Sequence, residues 1–126
     1  MEKEKLTLIV EDDLVNSELL EVFLKRKNLK YLMAYSGEQA LEIFEQHPEI
    51  DLVLLDIKLP KMNGEEVLLK MKAMRPHVPI IVQSAYVFDV DRIRFFEKGC
   101  DDYISKPIHK KLFYEKLAQW LKIDIE

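Results

Sequence analysis

Leu6-Thr7-Leu8-Ile9-Val10-Glu11-Asp12-Asp13 is the stretch that decides the fold. A short run, apolar except for one threonine, ends abruptly on three acids. Apolar residues at successive positions, rather than at alternate ones, describe a strand covered on both faces. Such a strand needs a layer of helices above it and another below.

The rest of the chain supplies them. Leu14 to Lys27 follows with helical spacing, including Val15, Leu19, Val22 and Phe23, and Asp13 is placed to cap it. Tyr31–Ala34 reads as a second, weaker strand. Ser36-Gly37-Glu38-Gln39 is a capping box, which starts a helix at Gly37 that ends near His47-Pro48. Leu52–Leu55 is a third strand and ends on Asp56. Pro60 to Gly64 is a loop, and Asn63, with Glu66 three residues on, caps a helix that stops before Pro76. Pro79–Val82 is a fourth strand, Val87 to Lys98 a helix closed by Gly99, Asp102–Ser105 a fifth strand and His109 to Lys122 the last helix. Strands alternating with helices imply right-handed crossovers and an α/β fold. A five-stranded parallel sheet in the order 2-1-3-4-5 is expected, with helices on both faces.

At 126 residues, 48% of them hydrophobic, the chain makes one domain with a single core. A net charge of −4 and a pI near 5.5 argue against direct nucleic-acid binding. No apolar run approaches the ~20 residues of a membrane span, and Met1 to Lys5 lack a signal-peptide pattern. The one cysteine, Cys100, fits a buried thiol in a reducing compartment. A cytoplasmic protein is expected, with no membrane partner.

In this topology ligand chemistry belongs at the carboxyl ends of the strands. Strand 1 ends in Glu11-Asp12-Asp13, strand 3 in Asp56, strand 4 at Ser84 and strand 5 in Lys106-Pro107. Strands 1 and 3 are neighbours, so Glu11, Asp12 and Asp56 converge. Two carboxylates at ~5 Å repel by about 3 kcal/mol at an effective dielectric of ~20. Such a cluster needs a cation, and oxygen ligands without His or Cys select Mg²⁺ or Mn²⁺ over zinc. Lys106 adds a fixed positive charge and Ser84 a hydroxyl donor. A carboxylate nucleophile, a hard cation, an ammonium and a hydroxyl together suit phosphoryl transfer, which depends mostly on positioning and charge neutralisation.

The segments Val10-Glu11-Asp12-Asp13, Leu54-Leu55-Asp56-Ile57, Leu59-Pro60-Lys61-Met62-Asn63-Gly64, Ser84-Ala85 and Asp102-Tyr103-Ile104-Ser105-Lys106-Pro107 resemble the receiver family of response regulators, from about residue 5 to 123. The resemblance implies a flavodoxin-like fold of the receiver type and a phosphoacceptor signalling domain rather than a turnover enzyme. It implies that Asp56 takes a phosphoryl group from a histidine kinase or histidine phosphotransfer protein. Asp12 would be a direct metal ligand, Glu11 would act mainly through water, and the Lys58 backbone carbonyl would complete the set. Lys106 would pair with the phosphoryl group, Ser84 and Tyr103 would form the switch toward a downstream protein partner, and the Lys106–Pro107 bond would be cis. Asn16, Gln83-Ser84-Ala85-Tyr86 and Gly99-Cys100-Asp101-Asp102-Tyr103 look most like receivers of hybrid histidine kinases. His109 departs from the Asn or Asp usual at the start of the last helix and puts its capping in doubt. Of Leu14 and Val15, at least one is expected to face outward toward a phosphodonor.

Rival chemistries fit less well. An aspartyl-nucleophile phosphatase or dehalogenase usually carries a second acid two residues after the nucleophile, where this chain has Lys58. An FMN binder needs a Gly/Ser/Thr-rich phosphate loop after strand 1, where this chain has three acids. A docking-only receiver should have lost Asp56 or Lys106.

Overall fold

The computed structural model describes residues 4–85 and 89–125. Strands and helices alternate throughout: β1 Leu6–Val10, α1 Leu14–Arg26, β2 Lys30–Ala34, α2 Gly37–Gln46, β3 Leu52–Asp56, α3 Gly64–Met74, β4 Ile80–Ser84, α4 Asp89–Glu97, β5 Asp102–Ser105 and α5 Lys110–Leu121. All strand pairs are parallel and the order is β2-β1-β3-β4-β5. The most deeply buried strands, β1, β3 and β4, take the centre of the sheet, as cover on both faces requires.

Alternation along each strand divides the core in two. Leu8, Val10, Val53, Leu55, Ile80 and Val82 pack with α2, α3 and α4 through Phe44, Leu68 and Phe95. Ile9, Leu52, Leu54, Ile81 and Ile104 face α1 and α5, where Leu20, Phe23, Phe113 and Leu117 meet them. Cys100 is buried in the first layer, and burial, then the nearby Asp101 and Asp102 carboxylates, pushes its thiol up to about 12. It is therefore a small apolar filler. Among the described residues, no helix is long and apolar enough to cross a membrane.

Local capping follows the sequence closely. Asp13, Ser36 and Asn63 accept from the backbone N–H groups of Asn16, Gln39 and Glu66. Gln39 returns its side-chain oxygen to the N–H of Tyr35 at 2.7 Å, one residue before the cap. His109 caps α5 without a side-chain hydrogen bond, because its ring is no substitute for a short oxygen acceptor. Gly99 closes the α4 segment at φ 111°, a left-handed conformation that favours glycine. α5 is tied to β5 by Asp102, which accepts from Lys116 Nζ at 2.8 Å and Trp120 Nε1 at 2.7 Å.

Of the α1 residues named for their helical spacing only Phe23 is buried, with Ser17, Leu20 and Leu24, while Leu19 and Val22 are exposed. Leu14 and Val15 both face outward, as expected of at least one of them. The helix carries two apolar stripes, and packing against the sheet selects the one containing Phe23. β4 also runs on to Ser84, because Gln83 and Ser84 still pair with Ile104 and Ser105. The expected start of α4 at Val87 lies outside the described residues.

Gly64 decides how closely α3 approaches the end of β3. Its N–H donates to the Ile57 carbonyl at 2.9 Å, and a Cβ there would lie 2.4 Å from Ile57 Cα and 2.6 Å from the Asp56 carbonyl oxygen. Backbone cannot yield as a flexible side chain can, so Gly64→Ala should push the loop away from Asp56. We expect a loss of about 1–3 kcal/mol in urea unfolding; an unchanged midpoint would show that the loop adapts freely.

Candidate functional site

The carboxyl ends of β1 and β3 bring three acids together. Glu11 extends the β1 ladder by one residue, donating its N–H to the Ala34 carbonyl at 3.0 Å. Asp56 is the last residue of β3. One carboxylate oxygen each from Glu11, Asp12 and Asp56 lies within 4.8 Å of the others. Glu11 and Asp56 are buried, at 0% and 3% exposure, whereas Asp12 stands exposed at the rim.

Lys106 joins this group from the other side of the sheet. Its backbone N–H donates to the Ser84 carbonyl at 2.9 Å, continuing the β4–β5 ladder beyond its last pair, and the Lys106–Pro107 peptide bond is cis. Its Nζ donates to Glu11 Oε1 at 2.8 Å and to Asp56 Oδ2 at 3.0 Å. Backbone N–H groups take the remaining oxygens: Lys58 donates to Asp56 Oδ1 at 3.0 Å and Asp13 to Glu11 Oε2 at 3.2 Å.

One ammonium therefore faces three carboxyl groups. Burial, reinforced by contact with Asp56 and only partly offset by Lys106, raises Glu11 to about 7. Burial alone would lower the Lys106 ammonium, but its bonds to Glu11 and Asp56 outweigh this and raise it. The shortage of positive charge is what a divalent cation would correct. Among the described residues no other group of three or more His, Cys, Asp or Glu side chains is poised for a metal. Oxygen donors alone, with one of them at an open rim, fit Mg²⁺ or Mn²⁺.

A family model described as the response regulator receiver domain matches residues 7–118. The chain belongs to the response regulator receiver family. Similar receivers and receiver-containing proteins include the polar-differentiation response regulator DivK of Brucella ovis, 34% identical over 119 residues that cover 93% of this chain and 96% of DivK. The hybrid signal transduction histidine kinase I of Dictyostelium discoideum is 32% identical over 116 residues, 86% of this chain but 7% of that protein. Response regulator GtcR of Aneurinibacillus migulanus is 39% identical over 105 residues, 83% of this chain and 43% of GtcR, so the chain spans less than half of both these longer relatives. A CheY-like receiver from Methanospirillum hungatei superimposes with a TM-score of 0.87 at 30% identity, covering 95% of each chain. The receiver of Saccharomyces cerevisiae Ssk1, solved together with the histidine phosphotransfer protein Ypd1, does so with 0.87 at 25% identity, covering 93% of this chain and 88% of that one. The chain is thus a receiver domain of two-component signalling.

Within this receiver, Glu11, Asp12, Asp56 and Lys106 form one cluster. Lys58 is tied to Asp56 through its N–H and is exposed. Ser84 is buried at the end of β4. Tyr103 is buried away from the acids, on the α4 face beside Val82, and its ring stacks on Phe95 with centroids 6.2 Å apart. Two further residues are of consequence. The close backbone approach at Gly64 leaves no mark in the periodicity of the sequence, whereas Gln83 is marked there as a polar residue directly after the apolar run Ile80-Ile81-Val82.

The raised Glu11 predicts a pH dependence. An acid whose folded pKa exceeds its unfolded value lends stability fully below the unfolded value, near 4.5, and that stability is lost as pH rises through about 7. Glu11→Gln keeps an acceptor for Lys106 without a titrating charge. In chelator-treated protein it should be on the order of 1–2 kcal/mol more stable than wild type at pH 8 and nearly equal at pH 4.5. A stability difference that does not change with pH would show that Glu11 carries no strain.

Proposed function

We propose that this receiver takes a phosphoryl group from a phosphohistidine donor onto Asp56 in a reaction that needs Mg²⁺ or Mn²⁺. The supporting observation is the buried Asp56 carboxylate held between Lys106 and two further acids. In the transfer the donor's phosphorus–nitrogen bond breaks, a bond forms from phosphorus to an Asp56 carboxylate oxygen, and the imidazole leaves with a proton. A bound cation would neutralise charge on the acids and the phosphoryl oxygens. Asp12 and Asp56 would hold it directly, with Glu11 acting through water and the Lys58 carbonyl completing the protein ligands. Lys106 would pair with a phosphoryl oxygen. The domain would serve as a cytoplasmic phosphoacceptor that assists its own phosphorylation and dephosphorylation, rather than as a turnover enzyme.

Ser84 and Tyr103 are proposed to carry the signal. Ser84 lies two residues beyond Val82, and Tyr103 stands beside Val82 on the same face of the sheet. A Ser84 hydroxyl drawn to the phosphoryl group would alter the packing around Tyr103. In the present conformation Tyr103 already occupies the buried position, so the switch would run between this rotamer and an outward one. A downstream protein would read the change on the face formed by α4, β5 and α5. Incubation with acetyl phosphate and Mg²⁺ should add one phosphoryl group by intact mass. Asp56→Asn should abolish the addition, while Ser84→Ala should still be labelled but lose the change in Tyr103 environment. Undiminished labelling of Asp56→Asn at its original site would refute the assignment.

The donor, a histidine kinase or a histidine phosphotransfer protein, is proposed to dock on α1. Leu14, Val15, Leu19 and Val22 are exposed there, and α1 begins directly after the acids. The yeast receiver solved together with a histidine phosphotransfer protein supports the kind of partner. Val15→Asp should slow transfer from the protein donor at least tenfold and leave acetyl-phosphate labelling unchanged. Equal slowing in both assays would rule out a docking role.

A further inference from the structure

Gln83 is fully buried on β4, and neither its Oε1 nor its Nε2 meets a hydrogen-bond partner among the described residues. A buried amide without partners is costly, because both of its polar groups have left water for nothing. On its own face of the sheet Ile81 precedes it on the strand and Ile104 lies beside it on β5, and these neighbours offer no polar side-chain atom. Leucine or methionine would fill that space without the cost. Thr7 Oγ1 is also without a partner, but it is a single hydroxyl near the start of β1, at the opposite end of the sheet from the acids.

The position of Gln83 is more telling than its burial. In register it stands directly beside Asp56, one strand spacing of ~4.8 Å away. Lys106 leaves the end of β5 and reaches Asp56 on β3 and Glu11 beyond β1, so its side chain must cross the end of β4. The amide thus lies beneath the path from Lys106 to Asp56. In the present state the ammonium donates to two carboxylates, which are stronger acceptors than a neutral amide. A cation bound to the acids and a phosphoryl group on Asp56 would both draw on those oxygens. A neutral acceptor beneath the ammonium then becomes competitive, and rotation about the side-chain torsions of Gln83 would bring it into reach.

We propose that Gln83 is a positioning residue for Lys106 in the phosphorylated state. Its Oε1 accepts from Lys106 Nζ and its Nε2 donates to the Asp56 carboxyl oxygen that is not bonded to phosphorus. At present Lys106 gives two of its three donors to Glu11 and Asp56, and neither it nor Asp56 reaches the amide. A fourth carboxylate at this position would add to the repulsion, and an apolar residue would leave the ammonium without its fixed support. The inference rests on Asp56 being the phosphoacceptor.

Beryllium fluoride with Mg²⁺, a mimic of aspartyl phosphate, tests it on the full chain. Gln83→Met should melt higher than wild type without ligand, because the orphan amide is gone, yet bind beryllium fluoride about tenfold more weakly. In nitrogen-15 spectra of the wild type, the Gln83 side-chain amide resonance should move on binding. Equal affinity of Gln83→Met and wild type would overturn the proposal, and so would weaker binding with an unmoved Gln83 amide, which marks a packing role. No binding by the wild type would refute the phosphoacceptor assignment itself, and this inference with it. Binding by the wild type with no loss in Gln83→Met refutes this inference alone.

Discussion

Lys106 places one positive charge between two buried carboxylates that belong to different strands, and much of the molecule is arranged to make that possible. Glu11 follows β1, Asp56 ends β3 and Lys106 follows β5, so the sheet order alone brings them to one edge. Removing the ammonium would leave two carboxylates uncompensated in the interior, an arrangement far less favourable than the same acids in water. The backbone N–H groups of Lys58 and Asp13 take the oxygens that Lys106 does not, so no oxygen of either buried carboxylate depends on solvent.

The compensation is incomplete. Asp12 completes the acidic group without a share of Lys106 in the bonds described, and burial and neighbouring charge together raise Glu11. An under-neutralised cluster at a rim open on the Asp12 side is poised for a cation to enter. Stability given up at such a site belongs to a function that fills it. The two hydrophobic layers supply the rigidity against which that tension is held, and Gly64 lets α3 close the loop behind Asp56 without displacing it.

Much of the fold was legible because its signals are local. Continuous apolar strands, helix caps at Asp13, Ser36 and Asn63, and proline stops lie within a few residues of what they control. The acids and Lys106 could be placed too, since each directly follows or ends a strand and parallel order sends every such end to the same edge. The second apolar stripe of α1 was different. Val15, Leu19 and Val22 have the spacing of a core face, and nothing in the helix itself ranks that stripe below Leu20, Phe23 and Leu24.

By itself the sequence determined the element order, the parallel α/β class and which residues end the strands, because these depend on short-range periodicity, capping and chain connectivity. Only the tertiary structure decided which α1 stripe is buried, that the Lys106 ammonium is divided between Glu11 and Asp56, that Tyr103 lies against Phe95, and that Gln83 stands beside Asp56 with its amide unpartnered. The physical reason is the same for each. These outcomes depend on contacts between residues distant in sequence, where direction, register and competition among partners choose between arrangements that local pattern leaves equivalent.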